Sequence, residues 1–321
     1  MANHLPFGFR SSEELLHASR DLGYDLPFQD DLSPLFRPLE IGDTSCPNRL
    51  AVHPMEGADA LPDGAPGELT LRRYRRFASG GSGLIWFEAT AVTEEGRSNP
   101  HQLKITPDNR GSFQGLVEET REAARLGFGE EHGILCVLQL THSGRYSRPA
   151  GRPRPRAGSS NPHLDGSSDG IDFLSDEDLD FLQENFVDAA RLALDAGFDA
   201  VDIKSCHGYL VNDLLAGYNR EHSRYGGSFE NRTRFLTEVV SRIRAEVPGL
   251  MLTSRLSAFD GIPFPYGFGF TKDSPQDFDL TELRALIRKL QMLGGLFFSV
   301  SAGNPRVSPH PVSYTHLRAH E

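Results

Sequence analysis

Cysteine is scarce in this 321-residue chain: three residues, Cys46, Cys136 and Cys206, at wide and odd spacing. That excludes a disulfide framework, a CxxC metal site and a four-cysteine iron–sulfur cluster within this sequence. Long apolar runs are missing too. None approaches the roughly 20 residues of a membrane helix, and the opening MANHLPFGFR lacks a signal-peptide apolar core. Positive charge is in deficit, with 33 Lys and Arg against 44 Asp and Glu and a formal charge of −11, which disfavours nonspecific nucleic-acid binding. What is present is a length suited to two average domains or one (β/α)-barrel-sized domain. Hydrophobic residues at 38% and charged residues at 24% are the balance of a folded, globular chain. The expectation is a cytoplasmic protein with no membrane and no nucleic-acid partner.

Residues 1–34 read as an extension, with a short amphipathic piece over Glu13–Leu22 and then Pro27 and Pro34 in polar surroundings. Beyond it, apolar runs predict strands at Leu50–Val52, Gly83–Phe87, Ile134–Leu140, Ala200–Ile203, Leu250–Thr253 and Leu296–Val300. Helical patterns lie between them at Glu68–Ser79, Ser112–Leu126, Asp176–Ala196, Phe229–Val247 and Thr281–Leu293. Ser175 before Asp-Glu-Asp makes a capping-box start, and Ser228 after Gly226-Gly227 can cap the next helix. Alternating strands and helices predict a parallel α/β fold. A doubly wound nucleotide fold needs GxGxxG after a strand, and the one glycine cluster, Gly80-Gly81-Ser82-Gly83, precedes a strand instead. A (β/α)8 TIM barrel places its chemistry just after each strand. There stand His53 and Glu56, Glu88, Gln139 and His142, Lys204, His207 and Tyr209, Arg255, and Ser299 and Ser301. About six β/α units fit where a barrel has eight. The expectation is therefore an incomplete barrel domain over 35–310, cut after its sixth strand. The stretch PVSYTHLRAHE, 311–321, reads as a non-native tail.

The densest cluster is Asp202-Ile-Lys-Ser-Cys-His-Gly-Tyr-Leu, 202–210. A cation or donor pair beside a phenol can polarise a carbonyl and deliver a proton. Each residue alone is as readily a satisfied core group; the cluster after a strand is what points to chemistry.

The segment KSCHGYLVNDLLAGYNREHSRYGGSFENRTRF resembles the fourth-strand region of Old Yellow Enzyme-like NADH:flavin oxidoreductases and 2,4-dienoyl-CoA reductase-like proteins. Matching pieces follow in order over about Leu35–Asn304: NRLAVHPMEG, EATAV, LQLTHSGR and SRLS. The most specific piece is YGGSFENRTRF. The resemblance implies FMN at the barrel mouth, with NADH or NADPH as reductant and a carbonyl-conjugated alkene as small-molecule substrate. By position, Pro54, Met55 and Ala89 would line the flavin and Gln139 would pair with its pyrimidine edge. Arg255 would sit by its N1/O2 region, where a permanent cation favours negative charge on the ring. Lys204 and His207 would hold the substrate carbonyl oxygen, and Tyr209 would give the proton. Lys204 departs from the usual histidine and is expected to favour an anionic ligand or to approach the flavin. The phosphate-holding loops of the resembling family follow strands seven and eight, which six units do not supply.

Weaker features stay open. Arg145, Arg148, Arg152, Arg154 and Arg156 make either a phosphate-catching loop or a solvated stiff one. Glu56 is a substrate contact or a turn cap, and His142 reads as a structural hydrogen-bonding residue. Cys136 and Cys206 read as small core residues. A rival reading is a metal-dependent barrel hydrolase using His53, His142, Lys204, His207 and Asp260. Another is an inert fragment with exposed sheet edges. A homo-oligomer is left open.

Overall fold

The computed structural model describes residues 8–166, 170–272 and 278–307, so the tail expected at 311–321 lies outside the described residues. In the extension, Ser11 caps helix α1 (Ser12–Asp21) by accepting the Glu14 N–H. An antiparallel hairpin that the apolar pattern had not announced comes next, β1 (Leu39–Ile41) and β2 (Thr44–Cys46). The alternation then begins with β3 (Ala51–Val52), α2 (Glu68–Ser79), β4 (Leu84–Ala91), α3 (Arg110–Phe128) and β5 (Leu135–Thr141). A long loop holds the short parallel pair β6 (Arg156–Ala157) and β7 (Asp172–Phe173). It leads to α4 (Asp176–Asp195), whose Ser175–Asp178 capping box forms as the sequence predicts. After β8 (Ala200–Ile203) come a short helix α5 (Leu210–Leu215), α6 (Phe229–Glu246) capped by Ser228, β9 (Met251–Ser257), α7 (Thr281–Met292) and β10 (Gly295–Ser301). No described helix is long and apolar enough to cross a membrane.

Strands β3, β4, β5, β8, β9 and β10 lie side by side in chain order, and every neighbouring pair is parallel. A sheet that never reverses its order has no switch point, so the winding is that of an α/β barrel rather than a doubly wound sheet. Six units are present, and β3 and β10 are its edges among the described residues.

Successive strand residues face opposite sides, and here both sides are buried. One set packs under the helices: Ile85 and Phe87, Cys136 and Leu138, Val201 and Ile203 share a core with Phe113, Phe186, Leu236 and Leu286. The other set, Leu84 and Trp86, Leu135 and Val137, and Ala200, forms a second cluster that the hairpin residues Ile41 and Cys46 join. The hairpin thus covers the apolar, N-terminal end of the inner face. Followed two residues at a time toward the C-terminal ends, the inner row turns polar, to Gln139, Asp202 with Lys204, and Arg255. In β4 a register shift between Phe87 and Thr90 breaks the alternation. Ala89 thereby reaches the inner side, while Glu88 bonds to Arg73 and Tyr74 of α2.

Phe87 is fully buried, with the Tyr74 ring stacked at 4.2 Å and Phe198 edge-on at 5.1 Å. Phe87→Ala should cost about 3–5 kcal/mol. Urea unfolding would show a lower midpoint with an unchanged slope; a loss below about 1 kcal/mol would mean that this layer does not hold the fold.

Candidate active site

The polar ends of the inner rows meet in a cleft of about 240 Å³. Pro54, Met55 and Glu56 enter from the loop after β3, Ala89 and Gln139 from strands, and Lys204, His207 and Tyr209 from the turn after β8. Pro305 and Arg306, which no motif had marked, close it after β10. Seven of the eight residues singled out by resemblance line this one cleft. The eighth, Arg255, adjoins it by donating through Nη1 to the Pro54 carbonyl at 3.4 Å.

Beneath the cleft lies Asp202, fully buried. It accepts Trp86 Nε1–H at 2.9 Å, Gln139 Nε2–H at 2.6 Å and the Arg255 backbone N–H at 2.7 Å. Burial pushes its carboxyl up to about 6, against the pull of these donors. The bond commits the Gln139 amide nitrogen to the protein, leaving Oε1 as the end available to a ligand. Asp202 opens the cluster that the sequence marks but was given no role there, although it shares strand parity with Lys204.

The turn after β8 is unusual backbone. His207 has φ +64° and Gly208 φ +69°, a left-handed pair that costs little only at glycine. Gly208 N–H donates to Asn212 Oδ1 at 2.6 Å, and a Cβ on Gly208 would lie 2.8 Å from Asn304 Nδ2. This tight fold-back carries the chain into α5 and puts Tyr209 across from Glu56.

Glu56 proves to be the hub of the cleft. Its Oε1 accepts the Tyr209 hydroxyl at 2.8 Å with Lys204 Nζ 3.4 Å away, and its Oε2 accepts Ser98 Oγ–H at 2.7 Å. Desolvation, then the Glu56 carboxylate, hold the Tyr209 phenol well above its usual range. The loop that carries Glu56 is tied down from outside the barrel. Glu88, pushed up to about 7 by burial, accepts Gly57 N–H at 2.7 Å and pairs with Arg73, which also pairs with Asp59.

Other candidates lie elsewhere. His142 is buried and accepts Gly144 N–H through Nδ1 at 3.1 Å, a structural role as the sequence had indicated. Arg145 belongs to neither reading of the arginine loop: it is buried against Asp165 and Asp213. Arg156 pairs with Asp172, while Arg148, Arg152 and Arg154 are exposed. Cys136 and Cys206 are buried, as expected. The hydrolase alternative finds no ligand set: among the described residues no three His, Cys, Asp or Glu side chains converge, and Asp260 is engaged by Asn212 and Phe268 N–H.

The sequence profile of the NADH:flavin oxidoreductase / NADH oxidase family matches residues 34–267. The chain belongs to that family. An NADPH dehydrogenase of Geobacillus thermodenitrificans is 35% identical over 232 residues, covering 71% of this chain and 64% of the relative. An NADH:flavin oxidoreductase of Gibberella zeae is 28% identical over 303 residues, 89% of this chain and 70% of that one. Among solved structures, the old yellow enzyme homologue from Zymomonas mobilis superposes with a TM-score of 0.67 at 26% identity, covering 84% of this chain and 74% of that chain. Morphinone reductase does so with a TM-score of 0.67 at 30% identity, covering 83% and 73%. The chain thus spans 64% of the length of the Geobacillus relative.

Burial pushes His142 down to about 3. An unfolded histidine takes up a proton below about 6.5; the native one does not until near 3. Stability should therefore fall as pH falls through that window, by up to about 1.4 kcal/mol per pH unit from this residue. In His142→Gln, whose amide oxygen can still accept from Gly144, that loss disappears. Parallel stability–pH curves for the two proteins between pH 6 and 4 would contradict the assignment.

Proposed function

We propose that this chain is an FMN-dependent oxidoreductase that uses NADH or NADPH to reduce a small alkene conjugated to a carbonyl group. The reading rests on family membership, and the observation that carries it is the convergence of Gln139, Lys204, His207, Tyr209 and Arg255 at one mouth of the barrel. The residues present suit a flavin. Gln139 offers a fixed acceptor, Ala89 and Pro54 are small and apolar walls, and the buried Arg255 Nε has no hydrogen-bond partner among the described residues. An orphaned guanidinium N–H is a donor in search of an acceptor. FMN, when bound, would supply the hydride chemistry between nicotinamide and alkene.

The chain's own groups would do the rest. Gln139 and Arg255 would hold the ring system, Arg255 through a guanidinium that favours negative charge on the ring. Lys204 and His207 would donate to the substrate carbonyl oxygen and draw electron density from the β-carbon. Tyr209 would pass its hydroxyl proton to the α-carbon. A phenol is protonated across the neutral range, and burial with the Glu56 carboxylate holds this proton more tightly still, so Tyr209 would serve as an acid toward a strongly basic carbon and not as a base.

The purified chain, given FMN, is expected to show a bound-flavin visible spectrum that bleaches anaerobically with NADH or NADPH. Arg255→Leu should weaken FMN binding at least tenfold. Tyr209→Phe should leave bleaching intact and slow alkene reduction by about 10²–10⁴-fold. A soluble chain that stays colourless with excess FMN would sink the reading.

A further inference from the structure

Lys204 stands where the resembling family commonly has histidine, and a flexible four-carbon stem locates its charge less surely than a ring does. Two contacts clamp it here. Its Nζ lies 3.4 Å from Glu56 Oε1 and 3.6 Å from the centre of the Tyr209 ring. Lys204 is 7% and Glu56 20% exposed, so the two charges have lost most of their water and compensate each other. The expectation that Lys204 favours an anionic ligand counted the cation alone. Counted with Glu56, the pair is neutral, and the carboxylate itself lines the cleft. Arg306, a further cation lining the cleft, is exposed and stacked over Tyr146 at 4.2 Å, where solvent screens it.

We propose that Glu56 sets the charge class of the substrate. It cancels the Lys204 charge while holding the ammonium and the Tyr209 hydroxyl as one unit. The cleft then admits alkenes activated by uncharged carbonyl groups and turns away those with a carboxylate on the reacting bond. An incoming carboxylate meets Glu56 at close range in a part-dry site, where like charges repel far more than in water. Glu56 is a positioning residue here: its reach fixes Tyr209, and its charge selects the ligand. The proposal rests on the flavoenzyme reading above.

Dimethyl fumarate and monomethyl fumarate present the same double bond and differ by one charge. With the FMN-loaded chain, their dissociation constants can be read from the flavin absorbance change, and KM and kcat from anaerobic turnover. The wild type should favour the diester at least tenfold, a result that needs no variant. Glu56→Gln should shift the ratio of dissociation constants toward the monoanion by tenfold or more. Glu56→Asp keeps the charge but not the reach, and should retain the wild-type ratio with a lower kcat. A wild type that prefers the monoanion, or a Glu56→Gln ratio within twofold of wild type, overturns the proposal. FMN uptake with either result removes this inference alone, whereas a chain that takes up no FMN removes the flavoenzyme reading and this inference with it.

Discussion

One buried carboxylate ties the inner face of the barrel together. Asp202 on β8 takes hydrogen bonds from side chains of β4 and β5 and from the backbone of β9, so four neighbouring strands share one anchor below the cleft. A carboxylate so far from water is costly unless it is fully satisfied. Three donors at 2.6–2.9 Å meet that demand. The same bonds dictate which end of Gln139 a ligand can use and where Arg255 leaves its strand. The functional surface is held by what lies under it.

The barrel separates two kinds of work by strand parity. Residues facing the helices are nearly all apolar and interchangeable in chemistry, though not in volume. Residues facing inward begin apolar beneath the hairpin and end polar at the cleft. Buried acids collect around that polar end: Glu88 near 7, Asp202 and Asp260 near 6. Each is raised by desolvation and therefore opposes folding once ionised. A fold keeps such groups where rigid placement of loops and ligands requires them, and Glu88 does this visibly by holding Gly57 next to Glu56.

Much of the architecture was legible. The strand and helix positions, the Ser175 and Ser228 caps and the barrel winding follow from periodicity and from where polar residues interrupt it. The β1–β2 hairpin was not, because three-residue strands carry too few alternations to register, and α5 was hidden inside a motif-rich segment. In the cleft, resemblance had pointed to Pro54, Met55, Ala89, Gln139, Lys204, His207 and Tyr209, and the fold brings all of them together. Lys204 was read as an isolated cation because its partner lies 148 residues away along the chain. Neither reading of the arginine loop, phosphate-catching or solvated, foresaw the buried Arg145 for the same reason, since its partner Asp213 lies 68 residues on.

The sequence by itself determined the elements, their order and the chemistry available at each strand end, because these depend on local propensity and on a two- or 3.6-residue period. Tertiary structure alone decided which charges cancel. It paired Lys204 with Glu56, gave Asp202 its three donors and turned Ala89 inward through a break in register. Electrostatic partnership depends on distance through space and on loss of water, and neither is encoded in any short window of sequence.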